Sequence, residues 1–374
     1  MNKPQTQQAS SAKTGRLALD IARQRGLTLI ELMISIVIGL VLVGGVLSIF
    51  VSTTQTAKLN DNLMRVQENA RGAFDVMARD IRETGQNPCG SKKVTNILRV
   101  GSAIPVWTDW NLGTLRGYDN LEDETAIEAF GTANTDRVSG TDAVLVIRTG
   151  QDDYTVDSHD TSLKRFVLSA SSKFKENDIA FVCDALSSAI FQIYAASPTS
   201  GVNRYKNIDH QTDAGNMNCG DLLSHALPVT NCPNTVKKFD RTQSQTPEVK
   251  IAQLSSSFWY VGYADNIQKR RSLYRSTITR SGSGGTTIIM KTDEVIPDVQ
   301  DLQITYLTRD GSTGLASNWV DATAVTDWTD YSATTQVVAV KLDLTLQTTD
   351  NVSATQTPIQ RHLIHVVGLR NRAQ

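Results

Sequence analysis

The sequence predicts an α+β fold in which one long amino-terminal helix lies against antiparallel sheet. Three observations predict it. Residues 32–51 form an unbroken apolar run. Residues 59–81 repeat apolar side chains at steps of three and four. Beyond Gly85 long helical periodicity disappears, and short strand-like segments take over.

The apolar run comes first. From Leu32 to Val51 there is no charge, no Pro, and no Asn or Gln. At about 1.5 Å per residue, about 20 residues span ~30 Å, the thickness of a bilayer core. Lys3, Lys13, Arg16, Arg23 and Arg25 precede the run against one acid, Asp20. That bias keeps the amino end in the cytoplasm and sends everything after Val51 across the membrane. Glu31 sits just inside the start of the run. An acid at mid-helix costs about 2.5–3.5 kcal/mol in a bilayer, and less near the interface. A carboxylate kept there calls for a counter-ion. Ser35 with Gly39, and Gly44 with Ser48, are small residues four apart, the spacing that lets membrane helices approach closely. Gly39, Gly44 and Gly45 also lower helix propensity.

The helical pattern continues past the membrane. Leu59, Leu63, Val66, Ala70, Phe74, Met77 and Ile81 form one apolar stripe. Lys58, Asp61, Arg65, Glu68, Arg71, Asp75, Arg79 and Glu83 lie largely off it. Gly85, Asn87 and Pro88 supply the stop. Both halves together make a rod of about 85 Å at helical rise. The stripe is expected to pack against the domain that follows.

That domain, from about Gln86 to Gln374, reads as strands. DAVLVIR from Asp142, RFVLS from Arg165, DIAFVC from Asp178, AIFQIYA from Ala189 and SFWYVGYA from Ser257 have strand composition. So do SLYRSTI from Ser272, TTIIMK from Thr286, VQDLQITYL from Val299 and HLIHVVGLR from His362. QVVAVKLDLTLQ from Gln336 alternates along Val338, Val340, Leu342, Leu344 and Leu346, the mark of a half-buried strand. Three insertions (107–136, 198–249 and 310–335) are polar and read as loops. Two sheets or subdomains fit the length, with a hinge expected within residues 201–246.

Composition narrows the function. The 37 basic and 38 acidic residues leave a net charge of −1, which offers no basic face for nucleic acid. The four cysteines, Cys89, Cys183, Cys219 and Cys232, all follow the membrane run. An even number in an oxidising compartment suggests two disulfides, with three pairings open. Cys219 with Cys232 closes a short loop and is the first expectation; Cys89 then joins Cys183. Neither the cysteines nor His225 has zinc-ligand spacing. His159, His210, His225, His362 and His365 fit no HExxH motif, and no GxSxG or Walker-type loop is present. GSGG from Gly282 reads as a hairpin turn. Glu122 to Glu124, and Asp152 with Asp153, lack calcium-loop spacing. Lys269, Arg270 and Arg271 read as a solvated turn. No enzyme, cofactor or metal is expected.

RGLTLIEL from Arg25 resembles the prepilin motif of type IV pilins and type II secretion pseudopilins, with Gly26, Leu27 and Glu31 at its key positions. Leu27 stands where Phe is usual, the leader is somewhat long, and the helix lacks the Pro that many pilins carry. The resemblance implies a pilin-like lollipop with a leader at 1–26, a membrane and filament-core helix at 27–51, an amphipathic half at 52–85 and a periplasmic domain at 86–374. It implies that prepilin peptidase cuts after Gly26 and that Leu27 is then N-methylated. In a filament the freed ammonium of one subunit is then expected to pair with Glu31 of another.

NDIAFVCDALSSAIFQIYA, SLYRSTI, VIPDVQDLQITYL, VVAVKLDLTL and HVVGLRNR occur in that order and resemble minor pilins of the PilW type. That likeness implies a structural subunit that helps initiate a type IV pilus and sits at or near its tip. Its implied partners are the major pilin, other minor pilins, a tip adhesin and the inner-membrane assembly platform. The alternatives are a J-type pseudopilin of type II secretion or a signal-anchored periplasmic binding protein.

Overall fold

The computed structural model describes residues 28–90, 94–198, 205–213, 215–223, 232–239, 248–265, 267–281, 287–310, 312–329, 335–348 and 357–370. The chain divides into two compact units, Met1–Ala57 and Lys58–Gln374. One helix, α1 (Leu29–Arg82), contributes to both.

In the first unit α1 is apolar and its side chains are unburied. Its hydroxyls turn back on the helix. Ser35 donates to the Glu31 carbonyl at 2.7 Å, Thr53 to Ile49 at 2.9 Å and Thr54 to Phe50 at 2.8 Å. Such back-bonding satisfies a hydroxyl where water is absent.

In the second unit the stripe is buried. Val66, Ala70, Phe74, Met77 and Ile81 are covered, together with Ala73 and Ala78, while Leu59 and Leu63 are half-buried. Each large side chain among them contributes roughly 1.5–3 kcal/mol. The helix stops at Arg82. Gly85 then takes φ 69° and donates its N–H to the Ile147 carbonyl at 3.0 Å. That left-handed conformation costs a glycine nothing in Cβ clash.

Among the described residues the strands form two sheets. The larger has 11 strands: β1 (Val94–Asn96), β2 (Leu115–Tyr118), β3 (Ala143–Asp160), β4 (Arg165–Ser172), β5 (Ile179–Cys183), β6 (Ser188–Gln192), β7 (Ala195–Pro198), β8 (Tyr205–Asp209), β9 (Lys250–Tyr263), β10 (Arg271–Ser281) and β11 (Thr287–Pro297). Its main path is β1-β6-β5-β9-β3-β4-β8-β7; β10 joins β9 to β11, and β2 pairs with β3. The second sheet has four strands, ordered β13 (Ala316–Val320), β12 (Val299–Asp310), β14 (Thr335–Gln347), β15 (Gln360–Gly368). Among these strand pairings β1–β6 is parallel and the rest are antiparallel. The chain changes sheets at one residue, Asp298, whose φ of 62° is a conformation that Asp tolerates better than bulky residues.

Side-chain alternation explains two kinds of strand. In β3, Val144 and Val146 face a core with the α1 stripe, while Ala143, Leu145 and Ile147 face a second core. In β9, Trp259 and Val261 face the first core, and Phe258 and Tyr260 the second. Both faces are covered, so these strands read as continuous apolar runs. In β12 the buried Leu302, Ile304 and Tyr306 alternate with half-buried Gln303 and Thr305, as befits a strand with one covered face. The first core joins α1 to both sheets.

The three supposed loops carry structure. Segment 107–136 holds buried Trp107 and Trp110 on 3-10 turns, and then β2. Gly113 lies so close to the Trp328 backbone that a Cβ there would collide with it. Just beyond this segment, Arg137 is fully buried. Its guanidinium donates to the carbonyls of Glu122 at 2.6 Å and Thr141 at 2.7 Å, and covers the Phe130 ring at 4.4 Å. Burial lowers its pKa to about 10, with Asp142 opposing, so it stays charged at neutral pH. Segment 198–249 contributes β8 and the buried Phe239 and Leu223; segment 310–335 contributes β13, Ala322 and Val325. Isolated apolar residues in polar surroundings give no period, so these core contributions left no sequence signal.

The expected hinge is also corrected. β8 and β9, which flank residues 210–249, belong to the same sheet, and the sheets part at Asp298 instead. The GSGG turn at 282–285 lies outside the described residues. Disulfides join Cys89 to Cys183 and Cys219 to Cys232, with Cα–Cα distances of 6.0 and 5.7 Å.

Candidate assembly site

The head of α1 is built by a local cap. Thr28 accepts from the Glu31 N–H through its Oγ1 at 3.3 Å and its carbonyl at 3.0 Å, and from the Leu32 N–H at 3.2 Å. Thr28 and Glu31 have the spacing of a capping box. Glu31 stands in the first helical turn, where the helix dipole favours negative charge, and it is exposed. Gly26 and Leu27 lie outside the described residues.

On both sides of Glu31 the helix presents apolar surface all round. Leu29 is 77% exposed, Leu40 67% and Phe50 66%. A Cβ added at Gly39, Gly44 or Gly45 would meet nothing within 4 Å. A face this apolar is stable only in lipid or against other apolar helices.

In the second unit one buried acid fastens α1 to the large sheet. Asp80 is 3% exposed. Its Oδ1 accepts from Arg148 at 3.3 Å, its Oδ2 accepts from the Trp259 indole N–H at 3.1 Å, and Arg275 lies 3.8 Å away. Arg148 also reaches Glu83 at 3.3 Å. A buried carboxylate is tolerable only with such partners. Sequence reading missed Asp80. The available signal was an acid three residues after Met77 and seven after Ala73, which places it on the apolar stripe.

The remaining polar clusters serve the fold. His159 and His210 meet through their Nε2 atoms at 2.9 Å in an aromatic core with Phe166, Phe191 and Phe239. His159 Nδ1 accepts from the Phe239 N–H at 3.1 Å, so its Nε2 carries the proton given to His210. Burial, with His159 and Lys164 nearby, lowers the His210 pKa to about 3. His210 is therefore neutral when folded and free to protonate near its ordinary value when unfolded. Its contribution to stability is full above about pH 6.5 and declines as pH falls toward the folded value. Between about pH 6 and pH 4, His210 is expected to add up to about 1.4 kcal/mol of lost stability per pH unit. Urea titrations of the full chain and of His210→Phe check this. The variant should show the shallower slope, and equal slopes refute it.

Among the described residues, no group of three His, Cys, Asp or Glu stands where it could hold a metal ion. Glu122 and Glu124 accept amide hydrogens of their own loop. Asp152 pairs with Lys173 at 2.7 Å, and Asp153 with Lys250 at 3.6 Å. His362 bonds Thr345 at 2.8 Å, and His365 stacks on Phe74. Lys269 donates to the Thr132 carbonyl at 2.7 Å, Arg270 approaches Asp265 at 3.9 Å, and Arg271 donates to the Gln300 carbonyl at 2.9 Å, so this basic turn is tied into the fold. His225 lies outside the described residues.

Residues 21–47 match the family model of the prokaryotic N-terminal methylation motif, and residues 259–365 match that of type IV pilus-assembly protein W. The two matches support a type IV pilus minor pilin of the PilW type. The second match opens at Trp259, whose indole meets Asp80, and runs through the four-stranded sheet into β15. A prepilin methylation motif implies processing by prepilin peptidase and assembly with other pilins. With the apolar helix, it supports an inner-membrane-anchored pilin. Both families are structural rather than enzymatic. No curated protein and no solved structure matches the chain.

Proposed function

We propose that this minor pilin helps initiate a type IV pilus and sits at or near its tip, alongside other minor pilins, the major pilin and a tip adhesin. Before assembly it waits in the inner membrane with its amino end in the cytoplasm and its globular domain in the periplasm, facing the assembly platform. Prepilin peptidase cuts after Gly26, and the new Leu27 amino group is methylated. In the filament that ammonium pairs with Glu31 of a neighbour. The carrying observation is the exposed acid at the head of an exposed apolar helix, inside the methylation motif. Left alone among apolar helices the acid is strongly disfavoured; paired, it selects an axial register.

Mass spectrometry of the amino terminus tests the processing. The cell-derived protein should begin at N-methylated Leu27, and Gly26→Val should accumulate as a precursor beginning at Met1. A wild-type protein that still begins at Met1 refutes the reading.

A further inference from the structure

A strand at the end of a sheet offers unpaired backbone groups, and most such strands carry protection. Among the described residues, five strands end the two sheets with some protection. β1 has three residues, β2 four and β13 five. β7 has four residues and ends in Pro198. β11 carries Lys291, Asp293 and Glu294, and closes on Pro297. The sixth, β15, has nine residues with no Pro, no Lys and no acid. Its pairing with β14 runs from Ala339↔Gly368 to Gln347↔Gln360 without a register shift.

Two bonds fix which groups of β15 face outward. The Leu369 N–H donates to the Val338 carbonyl at 2.9 Å, and the Thr348 N–H donates to the Ile359 carbonyl at 2.9 Å. Antiparallel pairing alternates, so the odd-numbered residues of β15 bond to β14. His362, Ile364 and Val366 turn their N–H and C=O to the free edge. Their side chains share the outer face, where Ile364 is 62% exposed and Val366 50%. The opposite face is occupied: Leu363 and Val367 pack into the core, and His365 stacks on Phe74.

The charge along β15 itself has one sign. Residues 360–370 contain Arg361 and Arg370 and no acid. Just past the carboxy end of β15 lies a groove of about 910 Å³ lined by Arg79, Arg82, Arg370, Glu83, Gly368 and Leu369. Arg79 approaches Glu83 at 3.6 Å. Three guanidiniums against one carboxylate leave the groove basic. A second copy of this chain would bring a strand with Arg361 and no carboxylate to it.

We propose that β15 is an acceptor edge for an extended segment of a different protein. That segment adds as a strand, alternates apolar side chains over Ile364 and Val366, and sets an acidic end in the arginine groove. The inference holds whichever position the pilin takes in the filament.

The test places photo-reactive p-benzoylphenylalanine at position 364 of the full chain in the cells that make it, and maps the adduct by mass spectrometry. The expected adduct is an apolar segment of another chain flanked by Asp or Glu. Val366→Pro removes an outward N–H and no bond to β14, and should lower adduct yield about tenfold or more. Arg370→Glu leaves the strand intact and should lower it about threefold or more. An adduct with residues 360–368 of a second copy, adducts with lipid alone, no adduct, or unchanged yield in both variants would overturn the proposal.

Discussion

Glu31→Leu is expected to leave leader removal and membrane level unchanged while cutting recovery in sheared filaments about a hundredfold. The variant keeps the apolar helix and removes only the carboxylate. Under the proposed pairing, the ammonium of a neighbouring subunit then stays buried without a counter-ion. Breaking a buried pair by removing one partner costs about 3–5 kcal/mol, and each 1.4 kcal/mol is about a factor of ten in an equilibrium. The lower bound already gives about a hundredfold. Glu31→Gln separates charge from shape. It can still cap the helix and accept a hydrogen bond, yet it carries no charge, so its recovery should fall between wild type and Glu31→Leu. The ratio of filament to membrane protein, read by immunoblot of sheared and cell-bound fractions, is the measurement. Wild-type recovery of Glu31→Leu would remove the pairing role.

Asp80→Ala is expected to lose about 3–5 kcal/mol of stability, from the same penalty applied inside one chain. Arg148, 17% exposed, would keep Glu83 alone, and the buried Trp259 indole would lose its acceptor. A domain typically holds about 5–15 kcal/mol in total, so the helix half in the second unit would be poorly held. Urea unfolding of the detergent-solubilised chain, followed by tryptophan fluorescence, checks this. Asp80→Asn should lose less, because its side-chain oxygen still accepts from the indole. Adding Arg148→Met to Asp80→Ala should cost less than the sum of the single changes, since the two groups share one interaction. A loss under about 1 kcal/mol for Asp80→Ala would show that apolar packing alone holds the helix.

The parts of this molecule that were legible are those whose information is local. The apolar stripe from Val66 to Ile81 reads as one helix face because residues three and four apart meet on a helix whatever surrounds them. The alternation in β14, with Val340, Leu342 and Leu344 buried, reads as a half-covered strand for the same reason. Asp80 was hidden because its partners are 68 and 179 residues away, and an acid in a helix reads as solvated unless its neighbours are known. Arg137 was hidden likewise: its acceptors are backbone carbonyls, which have no letter in the sequence. β2, β8 and β13 are short and sit in polar stretches, so neither period nor composition marks them.

Local sequence sets the chemical character of the amino end: a basic leader, a glycine, an acid at a set offset and a run of about 20 apolar residues long enough for a bilayer. These are properties of consecutive residues, and consecutive residues are neighbours in any helix. Which acid holds α1 to the sheet, where the two sheets part, and which strand has an edge left unpaired among the described residues follow from the packed fold instead. Each of those depends on strand register and on contacts between residues far apart in the chain. Register shifts by one residue exchange every buried side chain for an exposed one, so they are set by the packed whole rather than by any segment of it.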